Sequence, residues 1–286
     1  MILKAGFGIS SSLLLVCCAT GVRAESPSAA PTSNLQLLVR NTVRNEERAW
    51  KSPSAYYEYE EVDWSPEESS VSREIETPEG VFGRLITVNG EPPSPKRARK
   101  EEQQLQKFVR DPAARRSMVR GEEEDVKRRM ELLKEFPNAF RFEPDGPETN
   151  GVVRLKFQPD PGYRPESRNA LALRGMQGTL WIDASSERLV KLDGTLTRDV
   201  TLGWGVVVRL HRGGHFVWQQ AEVSAGIWEL TLLSVSLKGK IMMVKNLDVQ
   251  MKETHRSFKR VPGHLSTAQA VSMLLGDGME LQASAN

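Results

Sequence analysis

Two adjacent cysteines, Cys17 and Cys18, are all that these 286 residues contain. Both fall in the N-terminal apolar segment. A chain cleaved after Ala24 would have none, which excludes disulfides, zinc–thiolate sites and cysteine catalysis. Histidine is nearly as scarce, with four. His211 and His215 ("HRGGH") could meet across a turn, but no Asp, Glu or third His stands beside them in sequence to complete a metal set. An excess of one charge is missing too: 39 Lys and Arg face 37 Asp and Glu, and loss of Lys4 and Arg23 with a leader would leave the chain formally neutral. The basic surplus of a nucleic-acid-binding protein is therefore absent. "PKRARK" (Pro95–Lys100) runs straight into Glu101 and Glu102 and reads as the solvated start of a helix. No G-x-S-x-G, Walker loop, H-E-x-x-H or dinucleotide fingerprint occurs. The carboxylates of "GEEEDVKRR" (Gly121–Arg129) lie in a charged helix that gives them no reason to share a perturbed pKa. The expectation is a protein that is not an enzyme and holds no cofactor or metal.

Long apolar runs are confined to the N-terminus. Lys4, the run around Leu13–Val16 and the small-residue pattern Val22-Arg23-Ala24 make residues 1–24 a secretory signal cut after Ala24. The apolar core is shorter than the ~20 residues of a spanning helix. A periplasmic location follows. Leu15-Val16-Cys17-Cys18 approximates a lipobox, and acylation at Cys18 would make the product an outer-membrane lipoprotein. Residues 25–33, rich in Pro, Ser and Ala, read as a flexible tether, and residues 34–286 as a single domain.

What is present is alternation. Leu35, Leu38, Val39 and Val43 lie at helical spacing between a cap at Ser33 or Asn34 and a stop at Ser52-Pro53. "YYEYEEVDW" (Tyr56–Trp64), "SREIET" and "VFGRLITVNG" then read as strands, with a turn at Asn89-Gly90. Residues 94–137 form a highly charged insertion of two helices broken near Asp111-Pro112, with narrow apolar stripes that suit a cover over another layer. "FPNAF" (Phe136–Phe140) is expected to end them, since proline cannot continue a helix. From Phe140 to Glu253 the chain reads as consecutive antiparallel strands with breaks at Gly213-Gly214, Ala225-Gly226 and Gly239-Lys240. A last short helix, Leu265–Leu275, has Ser266 as its cap.

The clearest pattern is "GMQGTLWIDASSERLVKLDGTLTRDV" (Gly175–Val200). Leu180 and Ile182 share one face. After a turn around Asp183, the even positions Arg188, Val190, Leu192, Gly194, Leu196, Arg198 and Val200 form the apolar row of a strand, and the odd positions its wet row. Gly178-Thr179-Leu180-Trp181-Ile182-Asp183, followed by an amphipathic strand and further antiparallel strands behind a leading helix, resembles the periplasmic lipoprotein-carrier (LolA-like) family. The longer series "GTLWID…RLVKLDGTL…GWG…GGHFVWQQAEV…WELTLLSVSLKGK" resembles uncharacterised exported bacterial proteins described as outer-membrane lipoprotein-sorting-like. The resemblance implies an α+β fold: a single curved antiparallel sheet, a half-open β-barrel, with an N-terminal helix, the inserted helical pair and a short C-terminal helix. It also implies a concave face that holds acyl chains.

Leu180, Ile182, Val190, Leu192, Leu196, Phe216, Trp218, Trp228, Leu230 and Leu232 are the residues expected to line that face, with Met242 and Met243 nearby, an apolar and adaptable set. The function expected is a periplasmic carrier or acceptor of lipid or lipoprotein acyl chains with peripheral membrane contact. Two alternatives stand beside it. One is an envelope sensor or interaction module on the same fold, with no ligand cavity and an envelope protein partner docked on helices 94–137. The other is an enzyme whose site is dispersed over strand ends.

Overall fold

The period-two pattern of "YYEYEEVDW" is realised as strand β1 (Tyr56–Trp64), in which Tyr57, Tyr59 and Glu61 are buried and their neighbours are not. The same logic extends through the computed structural model, which describes residues 30–166, 169–202, 208–242 and 244–283. The signal segment, Cys18, Ala24 and the first part of the expected tether lie outside the described residues. Helix α1 spans Ala30–Lys51, so Ser33 and Asn34 are inside it rather than at its cap. The stop before Pro53 holds.

After β1 come β2 (Ser69–Thr77), β3 (Gly80–Val88), helices α2 (Pro95–Arg110) and α3 (Pro112–Ala139), then β4 (Phe140–Pro144), β5 (Val152–Pro159) and a 3₁₀ turn (Asn169–Gly175). Next follow β6 (Met176–Asp183), β7 (Arg188–Leu196), β8 (Val200–Leu202), β9 (Val208–Leu210), β10 (His215–Ser224), β11 (Ile227–Ile241), β12 (Lys245–Val261) and α4 (Thr267–Ala283). The twelve strands form one antiparallel sheet in the order β3-β2-β1-β12-β11-β10-β7-β6-β5-β4, with β9 off this path on β11 and β8 on β9. Among the described residues the end strands of this order, β3 and β4, are not paired with each other. Fold class is thus α+β, as expected.

Three local expectations need correction. The helix pair does end within Phe136–Phe140, at Ala139, but Pro137 lies inside α3 and is not its stop. The proline's missing N–H leaves the Leu133 carbonyl without its helical donor only two residues before the helix stops, and the Pro137 carbonyl accepts from Gln36 Nε2. The strand beginning at Arg188 ends at Leu196 rather than Val200. The break expected at Gly239-Lys240 is absent: β11 runs on to Ile241, because Gly239 to Ile241 pair with Leu210 to Val208.

Two compact units divide the described residues, one built from Pro53–Val126 and residues 251–283, the other from residues 30–52 and Lys127–Gln250. In the first, Ile75 and Phe82 on one face of the sheet meet Leu105 of α2 and Ala270, Val271 and Leu274 of α4 in an apolar core. Ser94 caps α2 by accepting from the Arg97 backbone N–H, with Pro95 in the first turn. Ser266 and Gln269 reciprocate at the start of α4, a capping box that explains why the helix begins there. Asn89 and Gly90 both adopt positive φ at the β3 turn, as a two-residue hairpin turn requires.

In the second unit, Val39 and Val43 of α1, Phe136 of α3, Phe140, Phe142 and Phe157 pack with Leu155, Leu180, Ile182 and Leu196. Phe136, Phe140 and Phe157 are mutually tilted at centroid distances of 4.5 to 5.2 Å, the geometry aromatic quadrupoles favour. Glycine permits the closest strand contact: a methyl at Gly178 would overlap the Asp193 carbonyl oxygen.

Candidate functional site

The expected ligand row divides by depth. Leu180, Ile182 and Leu196 are 3%, 0% and 4% exposed and belong to the core itself. Leu192, Phe216 and Trp218 are half-buried against that core, whereas Val190, Trp228, Leu230 and Leu232 are half-buried outside it.

Register explains the division. Pairing between β6 and β7 slips by one residue between Trp181 and Ile182, so Leu189, not Val190, lies opposite Ile182 and is buried. Pairing between β10 and β11 slips again: Gln219 faces Leu232 but Gln220 faces Leu230. Trp218 pairs with Leu192 and Leu233. Each bulge reverses which alternate residues look at a given side. Leu230 therefore shares the Trp218 face, and Leu232 turns to the other side with Gln219 and Lys191. Trp50 of α1 meets Trp218 with centroids 6.0 Å apart. The surviving face is a half-buried apolar strip of Leu192, Phe216, Trp218, Leu230 and Leu233.

That strip leads along β11 to an unusual turn. Met242 and Val244 are 53% and 83% exposed, and Met242 has a φ of 51°. Lys240 and Lys245 are exposed on either side of the turn, and Lys238, with a 68% exposed side chain, reaches Asp248 at 3.5 Å. Two apolar side chains thus stand in water at a turn flanked by the exposed Lys240 and Lys245.

Two cavities lie elsewhere, along α2. One of about 560 Å³ is lined by Arg99, Glu102, Gln103, Gln106, Lys107 and Arg110. The other, about 370 Å³, lies between Arg84, Pro93, Glu101 and Leu275. Neither touches the expected ligand row, and their charged linings do not suit an acyl chain.

The two histidines of "HRGGH" do not converge. His211 Nδ1 lies 3.4 Å from Asp199, and His215 Nε2 lies 2.7 Å from Asp193. Each has found a carboxylate that sequence proximity did not reveal.

A third constellation was not foreseen. In the first unit β1 pairs with β12 so that Glu61 stands opposite His255 and Asp63 opposite Glu253. His255 Nε2 is 2.7 Å from Glu253 and 3.3 Å from Glu61. The Tyr59 ring stacks on the imidazole at 4.6 Å and 26°. Burial pulls the imidazole pKa down, but the bonds to Glu253 and Glu61 outweigh it and lift the value to about 9. Glu74 is buried beside them, bonded by Ser72 Oγ at 2.6 Å. It fits because residue 83 is glycine; a methyl there would overlap its carboxylate. Burial pushes Glu76 up to about 7, although it accepts from the Tyr57 backbone N–H. The Tyr59 hydroxyl is raised by burial and then by the charges of Glu74, Glu61, Glu76 and Glu253. The available signals were the odd-position row Tyr57-Tyr59-Glu61 and the Glu-x-His spacing of Glu253 and His255.

Comparison with protein-family models, characterised proteins and solved structures returned no match. Function must be read from the geometry.

Proposed function

We propose that this protein is an exported, non-enzymatic lipid-binding protein that works at an anionic lipid surface. The observation that carries the reading is the β11–β12 turn, where Met242 and Val244 are 53% and 83% exposed between the exposed Lys240 and Lys245. Apolar side chains at a turn tip gain about 25 cal/mol for each Å² moved out of water. Each lysine near an anionic surface adds about 1 kcal/mol. Together these terms reach the scale of reversible peripheral binding. Lysines also distinguish the occupant, because a neutral apolar partner would gain nothing from them.

The half-buried strip Leu192, Phe216, Trp218, Leu230 and Leu233 supports a second part of the reading. It offers an acyl chain an apolar face on the same β11 strand that ends at the tip. Leu180, Ile182 and Leu196 lie beside it on the same face of the sheet, buried and structural. The secretory signal read in residues 1–24 is in keeping with a periplasmic site of action.

Co-sedimentation of the processed protein with phosphatidylglycerol and phosphatidylcholine vesicles tests this. Binding is expected to the anionic vesicles, to weaken with salt, and to disappear in Met242→Glu/Val244→Glu. No binding by the unmodified protein would overturn the surface reading. Uptake of a fluorescent fatty acid that is blocked by Leu233→Glu would support the strip as the acyl site; uptake unaffected by that change would exclude it.

A further inference from the structure

We infer that Glu61, Glu253 and His255 form a binding site for a first-row divalent transition-metal ion of the zinc or manganese class. The site lies in the first unit and is independent of the lipid reading.

Topology makes the set. Glu253 and His255 are two residues apart on β12 and project to one face, and the β1–β12 register brings Glu61 directly across from His255. One ligand atom from each residue lies within 4.8 Å of the other two. Donors around a tetrahedral ion at ~2.1 Å are separated by roughly 3.4 Å; the 3.3 Å from Nε2 to Glu61 matches that, and the 2.7 Å hydrogen bond from Nε2 to Glu253 would open by roughly 0.7 Å to admit the ion.

The arrangement at Nε2 is the decisive feature. Two carboxylates address the same ring nitrogen, which has one hydrogen to give. A single N–H cannot point well at both oxygens, whereas an ion in that position would accept an electron pair from all three donors. A proton brings one positive charge to two carboxylates; a divalent ion brings two.

The surroundings have the features that orient metal ligands. Tyr59 fixes the imidazole plane by stacking, and the side chains of Glu61, His255 and Glu253 are 3%, 11% and 22% exposed. Glu74 adds a further buried carboxylate on the same face, in the niche that Gly83 leaves. Such supporting contacts hold ligand geometry and raise affinity. The imidazole selects for transition ions over calcium or magnesium, which take oxygen donors.

Untagged processed protein, stripped with EDTA, is titrated with ZnCl₂ and MnCl₂ by calorimetry, and bound metal is counted by mass spectrometry after desalting. One equivalent is expected for at least one of the two ions, with a higher melting temperature. Glu253→Gln and His255→Gln should each weaken binding by roughly 100-fold, since losing even a supporting contact costs 10–100-fold. His211→Gln should leave it unchanged. Circular dichroism shows which variants fold, and the more exposed Glu253→Gln decides if His255→Gln does not. Absence of a stoichiometric ion in the unmodified protein would overturn the site. So would equal affinity in folded Glu253→Gln, or loss of binding in His211→Gln.

Discussion

Glu46 of α1 and Arg188 of β7 are joined at 2.8 Å inside the second unit, their side chains 2% and 11% exposed. Glu46 also accepts from the Leu189 backbone N–H at 2.9 Å and from Gln220 Nε2 at 2.9 Å. A buried carboxylate survives only when its lone pairs are filled, and here α1, β7 and β10 fill them together. Asn45 extends the contact by donating to the Ser186 carbonyl at 3.1 Å, which ties α1 to the β6–β7 turn.

Glu46→Ala should therefore cost about 3–5 kcal/mol, because it leaves Arg188 and Gln220 buried without their acceptor. Glu47→Ala, next door in the more exposed pair with Lys51 and Lys134, should cost under about 1 kcal/mol. Urea denaturation of both variants measures the difference, and equal losses would contradict the network.

The slipped register makes a second prediction. Leu189→Ala should lose about 2–4 kcal/mol, the cost of a cavity in a closed core. Val190→Ala and Leu232→Ala should each lose under about 1 kcal/mol, since neither belongs to that core. A larger loss at Val190 than at Leu189 would restore unbroken alternation along β7.

Glycine positions separate yielding from unyielding neighbours. An added methyl at Gly194 meets the Phe216 ring, but one at Gly178 meets the Asp193 backbone carbonyl. Phe216 can rotate away, so Gly194→Ala should cost about 1–3 kcal/mol. The β7 backbone is held by its own ladder, so Gly178→Ala should cost more and disturb the β6–β7 pairing. Melting curves and amide exchange of Thr179 and Gly194 check both outcomes.

Glu76 gives a pH signature of known sign. Its carboxyl has a folded pKa of about 7, raised by burial from 4.5. The folded protein therefore holds a proton that the unfolded chain releases earlier. Stability from this group is fully present below about pH 4.5 and is lost as pH rises through about 7. Glu76→Gln keeps an oxygen for the Tyr57 N–H without the charge. Its urea midpoint should match the unmodified protein near pH 4.5 and exceed it at about pH 8, and a midpoint below it at pH 8 would reverse the sign.

Alternation and turn chemistry were legible in the sequence because they are local. The strand at Tyr56–Trp64, the charged helix pair, the Asn89-Gly90 turn and the Ser266 cap each need only a few neighbouring residues to be recognised. Period two also marks which residues of one strand can be buried. It cannot mark a bulge, where one added residue reverses the faces without any change in composition; Leu189 and Leu232 exchanged sides for that reason. Nor can it join Glu61 to His255, which stand near opposite ends of the chain and meet only through the register of β1 on β12. Local pattern decided the elements, and non-local strand pairing decided which side chains meet, because hydrogen-bond register is fixed by the partner strand and not by the strand itself.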